Sequence, residues 1–467
     1  MILAPKFERA LQRLPGFEQL LACDRLSAGA SRETYRLTVR INGSERKLAL
    51  RRAEGEGASA MGSGPGLNAE AKLFAAARQA GVPGPEILLV LQPEDQLGAG
   101  FVMEWISGET LGGRIARGAD FAAARKTLAR QCGEILAKLH AIDVGAAGLD
   151  QVLESFTPEH AVRKTHAAYL ELGSPQPMID FTARWLLANL PSARPLKLVH
   201  SDFRNGNLIV DPEQGLVAVL DWELAHIGDP MRDLGWLVTR SWRFGASDKP
   251  VGGFGGLDDL IDGYERASGE TVDKYAVRFW EVFGSFWWAV GTLSMGQSFR
   301  NGSESSLERP AIGRRSSECQ IDCVNMLIPG PVRKPQAAQQ SLSATDLPRS
   351  DELLAGIRDF LRGEGGAALE GRNQFLARVS ANAIDIVLRE IALGADARQF
   401  EKESLQRLLG EHGPVQEQRE ALCRAIRFNE IDLARDDLLA YLRQSVFNQI
   451  LIDQPSYAGA AECGGRD

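Results

Sequence analysis

LVHSDFRNGNLIVDPEQGLVAVLDWELAHIGDPMRDLGWL, residues Leu198–Leu237, decides how this chain is read. His200-Ser201-Asp202 opens it, Asn207 lies five residues beyond Asp202, and Asp221 closes the next apolar run. Leu208-Ile209-Val210 and Leu216 to Leu220 read as two short strands, with turn chemistry in Asp211-Pro212-Glu213-Gln214-Gly215 between them. Pairing the strands brings Asn207 and Asp221 to one end of a hairpin, where a carboxylate and an amide oxygen can share a hard cation. Asp202, in the loop before the first strand, then faces a nucleophile as its base or orienting acceptor. Phosphoryl transfer asks a protein mainly to position a hydroxyl, hold Mg²⁺ and neutralise charge.

The ordered set resembles the aminoglycoside phosphotransferase and choline kinase superfamily, the small-molecule branch of the protein-kinase-like fold. His200, Asp202 and Asn207 match its H-x-D-x-x-x-x-N element, Asp221 its metal-binding Asp, and Gly228, Asp229, Pro230, Asp233 and Leu234 its GDPxxDL element. Asp221-Trp222-Glu223 stands where protein kinases have D-F-G, which favours the small-molecule branch. A lone HxD arises by chance in many chains; the full ordered set is far more specific. The resemblance implies an α+β, two-lobed protein-kinase-like fold, a small antiparallel-sheet lobe plus a large helical lobe, followed here by an all-α domain. It implies ATP and Mg²⁺ as cofactors, Asp202 as the catalytic group, and Asn207 and Asp221 as metal ligands.

Leu26 to Val39 reads as strand, small-residue turn, strand, and resembles the family's phosphate-covering loop. Gly29, Ala30 and Ser31 carry little bulk there, so backbone amides can approach phosphates. Lys47-Leu48-Ala49-Leu50-Arg51-Arg52 occupies the place of the nucleotide-binding strand, with Arg51 where the family usually has Lys. A guanidinium can grip phosphate oxygens through two parallel bonds, but geometry tuned for an ammonium is not preserved. Kinase-like domains fused to acyl-CoA dehydrogenases resemble this chain in Leu50-Arg51-Arg52 and in Asp221 to His226. Glu70 lies in the alanine-rich helical stretch Leu67 to Arg78, with Asn68 as a cap, and matches the helix whose Glu pairs with the strand cation, here Arg51. Gly55 to Gly66, between them, reads as a loop beside the phosphate site or a plain connector. Ile87 to Leu91 and Phe101 to Ile106 resemble the last small-lobe strand and the hinge, where backbone groups of Glu104, Trp105 and Ile106 meet adenine. The Trp105 side chain itself reads as a wall or core residue.

The helical region holding Tyr264, Phe279, Trp280 and Trp287 falls where the family walls its acceptor pocket. Core packing accounts for most of these rings, and one or two in the pocket would suit an apolar-bodied acceptor. No dense acidic cluster appears in that region to meet a polycationic sugar. Association of the fused relatives with hydroxyacyl substrates points, by analogy, to a hydroxyacyl acceptor. His140, His200 and His226 read as structural, and Asp229 and Asp233 as braces of the loop after the metal site. Glu223 is left between a metal contact and a turn cap.

At 467 residues with 44% hydrophobic content the chain can bury more than one core. A formal charge of −8 gives no electrostatic footprint for nucleic acid. Met1 to Arg9 lacks the apolar core of a signal peptide, and Phe279 to Met295 is too short and interrupted to span a bilayer. Six scattered cysteines match neither a disulfide framework nor a zinc pattern and read as reduced thiols. The expectation is a soluble cytoplasmic enzyme whose partners are ATP and a small-molecule acceptor, with no nucleic acid and no membrane.

The expected domains are 1–106, a nucleotide-binding small lobe; 107–329, a lobe with catalytic loop and acceptor pocket; 330–350, a linker; and 351–467, all helical. The last carries helical stripes such as Leu353, Ile357 and Phe360 and no strand signal. It resembles an uncharacterised helical domain that accompanies kinase-like proteins of this type in bacteria, and is the expected contact surface for a homodimer or another partner. Two function classes remain: a small-molecule O-phosphotransferase, and a nucleotide-binding pseudokinase or scaffold kept open by Arg51.

Overall fold

The computed structural model describes residues 3–28, 32–53, 64–338, 347–410 and 412–463. Packing divides the chain into two compact units, residues 1–160 with 191–281, and residues 161–190 with 282–467.

In the first unit, β1 (Phe17–Ala28), β2 (Glu33–Ile41), β3 (Ser44–Ala53), β4 (Ile87–Val90) and β5 (Ala99–Glu104) form an antiparallel sheet in the order β1-β2-β3-β5-β4. Tyr35, Leu37, Val39 and Ile41 are buried while their alternate neighbours are not, the two-residue period of a half-buried strand. The helix Ala4–Leu11 lays Phe7, Ala10 and Leu11 on that apolar face and closes a core with Leu48, Leu50 and Val102. The helix Leu67–Gln79 sets the Phe74 ring edge-on to Phe101 of β5, centroids 5.9 Å apart. Side chains four apart share a helix face, so Glu70 is carried into the interior together with Phe74.

The stretch Leu198–Leu237 folds around two small ribbons. β6 (Lys197–Val199) pairs with β9 (His226–Gly228), and β7 (Leu208–Asp211) pairs with β8 (Gly215–Val219). In the β7–β8 turn, Asp211 Oδ1 accepts the Glu213 and Gln214 N–H groups at 2.8 and 2.9 Å, and Gly215 takes a φ of 82°. These are the local bonds and left-handed glycine that make such a turn. The expected hairpin is present, and Leu220 N–H donates to Asn207 O at 2.8 Å, so Asn207 and Asp221 share its open end. The β6–β9 ribbon was not legible in the sequence, because three-residue strands carry no period.

In the second unit all the regular structure among the described residues is helical. Its core joins Met178 and Phe181 of the helix Pro177–Ala188, and Ile321 and Val324 of the helix Ser316–Leu327, to Leu422, Leu442 and Phe447 from the last third of the chain. Packing therefore starts this unit earlier than the compositional change near Pro329. The connecting segment is tied down as well: Arg333 N–H donates to Gln444 Oε1 at 2.7 Å, and Gln444 Nε2 donates to Arg333 O at 2.6 Å. No helix among the described residues is long and apolar enough to cross a membrane.

A chain ending at Lys334 would bare Met178, Phe181, Ile321 and Val324 to water. Each large apolar side chain is worth about 1.5–3 kcal/mol on burial, and four together rival a whole domain's stability of roughly 5–15 kcal/mol. Such a truncation is expected to aggregate or to lose the cooperative unfolding of its helical part, read by size exclusion and circular dichroism.

Candidate active site

The His200–Asn207 loop is held by Asp233, which is buried in the first turn of the helix Met231–Val238. Its Oδ2 accepts the His200 N–H at 2.8 Å and faces His140 Nε2 at 3.1 Å, while its Oδ1 accepts the Ser201 N–H at 2.7 Å. Burial alone would raise this carboxyl, but His140 and the backbone donors hold it below the ordinary carboxylate range. The bonds secure a loop in which Ser201 has a φ of 65° and Asp221 a φ of 64°. A non-glycine residue in that region costs on the order of 1 kcal/mol, a cost sustained by surrounding bonds.

His200 is structural in this geometry. The Asp202 N–H donates to its Nδ1 at 3.2 Å, so the proton sits on Nε2, which donates to Leu220 O at 3.0 Å. Burial pushes its pKa down and keeps it neutral, and the buried Trp222 packs on its ring at 4.7 Å. One ring thereby links the loop before β7 to the residue after β8.

Asp202 is buried at the end of this loop. Its Oδ1 accepts from Trp236 Nε1 at 2.9 Å and Arg204 Nε at 2.8 Å, and its Oδ2 from Arg204 Nη2 at 3.1 Å and Asn207 Nδ2 at 2.5 Å. Burial pushes its pKa up, against the pull of Arg204. Asn207 Nδ2 also donates to Asp202 O at 3.0 Å, which leaves the amide oxygen as the atom able to meet a cation. The Arg204 guanidinium in turn lies over the Trp242 ring, 4.3 Å from its centroid.

Strand alternation sends Arg51 and Arg52 of β3 to opposite faces. Arg52 is buried, pairing with Glu33 at 2.7 Å and donating to Leu97 O at 2.8 Å. Arg51 pairs with Glu70 at 2.8 Å, as expected, and extends further to Asp221 at 2.7 Å and Glu223 at 3.4 Å. Arg32 joins the same cluster, 2.8 Å from Glu223 and 3.3 Å from Glu70. Burial pushes the Glu70 carboxyl up to about 7 despite Arg51, and burial with Asp221 nearby raises Glu223. Asp221 goes the other way: burial would raise it, but Arg51 holds it below the ordinary range.

Among the described residues no group of three His, Cys, Asp or Glu side chains is gathered around a point as metal ligands. The donors at the hairpin end nevertheless suit Mg²⁺, which takes only one or two protein carboxylates when substrate phosphates supply the rest. Asp221, the Asn207 amide oxygen and Glu223 are hard oxygen donors of that kind. Glu104, Trp105 and Ile106 stand in succession where the chain leaves β5, and the Glu104 N–H is already given to Glu86 O at 2.9 Å. Gly29, Ala30 and Ser31 lie outside the described residues.

Arg32, Arg204 and Trp236 belong to the site and carry no mark in the spacing. Arg204 sits inside the motif at a position the motif leaves open. Trp236 lies 34 residues beyond Asp202, and only the turn of the helix Met231–Val238 returns it.

The model of the phosphotransferase enzyme family (APH) matches residues 23–269, just over half of the chain and all of the residues above. The chain belongs to this family. A second model, described as a domain of unknown function (DUF6285), matches residues 367–457. A solved structure from Ralstonia eutropha, assigned as an aminoglycoside phosphotransferase, superposes with a TM-score of 0.56 at 21% identity, covering 69% of this chain and 97% of that one, and shows the kinase-like fold. Among curated proteins, mouse acyl-CoA dehydrogenase family member 10 is 28% identical over 44% of this chain and 19% of its own length. Rat acyl-CoA dehydrogenase family member 11 is 30% identical over 48% of this chain and 29% of its own. The chain thus spans less than a third of the length of either relative.

Asp233→Ala would strand three buried donors at once. It is expected to cost about 3–5 kcal/mol of stability, the scale for breaking a buried charged network, and urea denaturation monitored by tryptophan fluorescence measures it.

Proposed function

We propose that this chain is an ATP- and Mg²⁺-dependent O-phosphotransferase that moves the γ-phosphoryl group of ATP to the hydroxyl of a small acceptor. One observation carries the reading: a buried carboxylate, Asp202, is bonded to Asn207 beside the hairpin end that presents Asp221. In the transfer, the acceptor oxygen bonds to the γ-phosphorus as the bond from that phosphorus to the ADP oxygen breaks. The hydroxyl proton passes to Asp202, whose upward-shifted pKa makes it a better proton acceptor than an exposed aspartate. Asn207 and Trp236 fix the direction of that carboxylate, while Arg51 and Arg32 supply positive charge for phosphate oxygens. Mg²⁺, held by Asp221 and the Asn207 amide oxygen, would neutralise phosphate charge when bound.

For the acceptor, the names of the curated relatives place similar domains in acyl-CoA dehydrogenase chains, which supports a hydroxyacyl or other apolar-bodied alcohol. A second reading, a nucleotide-binding pseudokinase that uses its helical tail for interactions, is favoured by one contact. Arg51 already occupies an oxygen of Asp221, the proposed metal ligand, at 2.7 Å.

Turnover of ATP across acceptor alcohols, including a 3-hydroxyacyl-CoA, separates the two readings, and a chain that binds Mg-ATP without acceptor-dependent turnover is the pseudokinase. Under the enzyme reading, Asp202→Asn keeps nucleotide binding and lowers turnover by roughly 10²- to 10⁴-fold. The acid limb of kcat/KM should lie above the ordinary aspartate range, because activity needs Asp202 ionised and burial raises its pKa; an acid limb at the ordinary value removes it as the base. Asp221→Ala is expected to abolish the Mg²⁺-dependent part of the thermal shift given by ATP, and Asn207→Ala to weaken it less, since an amide offers a dipole and a carboxylate a full charge.

A further inference from the structure

The helical unit contains a cavity of about 380 Å³, within the size range of small-molecule sites. Every residue lining it belongs to residues 161–190 or 282–467, so none comes from the unit that carries Asp202, Asn207 and Asp221. Met178, Val446 and Ile452 give it apolar wall, and Gln320, Asn448 and Gln449 give it polar wall.

Its charged residues sort into closed sets with one left over. Arg314 pairs with Glu390 and, at 3.2 Å, with Asp453, which also accepts from Gln449 Nε2 at 3.0 Å. Arg419 holds Glu401 through two parallel bonds of 2.8 and 2.6 Å, and the Tyr441 hydroxyl donates to the same carboxylate at 3.1 Å. Arg398 lines the same cavity and, among the described residues, has neither a carboxylate nor a hydrogen-bond partner. Its position depends on a glycine. Gly394 lies one turn earlier in the helix Gly371–Leu409, and a Cβ there would stand 2.8 Å from Arg398 Nη1. Glycine weakens a helix interior relative to alanine, and here the missing side chain lets the guanidinium lie against the cavity wall.

Among the described residues a cationic ligand finds no unpaired carboxylate in this cavity, whereas an oxyanion finds a guanidinium whose fork of donors matches carboxylate and phosphate oxygens. The amide groups complete the set. Asn448 Oδ1 accepts from Gln444, which leaves its Nδ2 to donate, and Gln320 and Gln449 use their nitrogens internally, which leaves their oxygens to accept from hydroxyls. We infer that this cavity is a binding site for a small hydroxylated organic oxyanion, a carboxylate or phosphate ester whose charged head is met by Arg398. The site is independent of the phosphotransfer reading, since it uses none of those residues.

Isothermal titration calorimetry on the full chain without nucleotide tests it, with glycerol 3-phosphate and 3-hydroxybutyrate as separate probes and glycerol as the uncharged control. At least one anion is expected to bind saturably with unit stoichiometry, its identity telling phosphate from carboxylate, while glycerol does not bind. Arg398→Ala should weaken that binding by roughly tenfold or more, as for a lost hydrogen bond to a charged group. Arg398 is exposed and, among the described residues, unpaired, so this variant is expected to fold. Gly394→Ala should weaken binding through displacement of the guanidinium while leaving the unfolding temperature unchanged or higher. Failure of both anions to bind, equal binding of glycerol, or wild-type affinity in Arg398→Ala overturns the proposal.

Discussion

The first unit depends on a single carboxylate that makes no contact with the hairpin end. Asp233 accepts two successive backbone N–H groups, His200 and Ser201, and faces His140 from a fully buried position. Successive amides can point at one carboxylate only if the chain between them turns sharply, and the left-handed Ser201 is that turn. Through His200 the constraint reaches Leu220, and so the residue before Asp221. The loop geometry is thus fixed from behind, by groups that leave Asp202 and Asn207 free to be set by their own bonds.

The charged cluster in front of the loop obeys a different rule. Three carboxylates, Glu70, Asp221 and Glu223, converge in a partly dry place and would repel one another without compensation. Two guanidiniums supply it. A lysine ammonium is a compact point charge, whereas the fork of Arg51 spans carboxylates on a helix and on a loop at once. That explains how arginine can stand at this strand position without leaving Glu70 alone. It also means that Asp221 is tied to the sheet, so ligands arriving at the hairpin end meet an ion pair and not a bare carboxylate.

The helical unit shows where composition and packing part company. Gly330 to Ser341 has the residues of a linker, yet Arg333 exchanges bonds with Gln444, and the helices on both sides of this segment supply one core. Polar, aperiodic sequence reports that a segment is not a helix or strand. Whether it is loose depends on what lies beside it, which composition does not encode.

What the sequence determined by itself was local or carried in register: the β7–β8 hairpin through its Asx turn and Gly215, the strand period of β2, the helix that carries Glu70, and the motif that orders Asp202, Asn207 and Asp221. These follow from bonds and periods spanning a few residues, so they survive without knowledge of the rest of the chain. Tertiary structure alone decided that Trp236 returns to hold Asp202, that Arg32 joins Arg51 among the carboxylates, and that, among the described residues, Arg398 is left without a partner on a cavity wall. Each of these depends on which side chains separate elements bring within about 3 Å or keep apart, and that choice is made by packing long stretches of chain, over which no periodicity in the sequence extends.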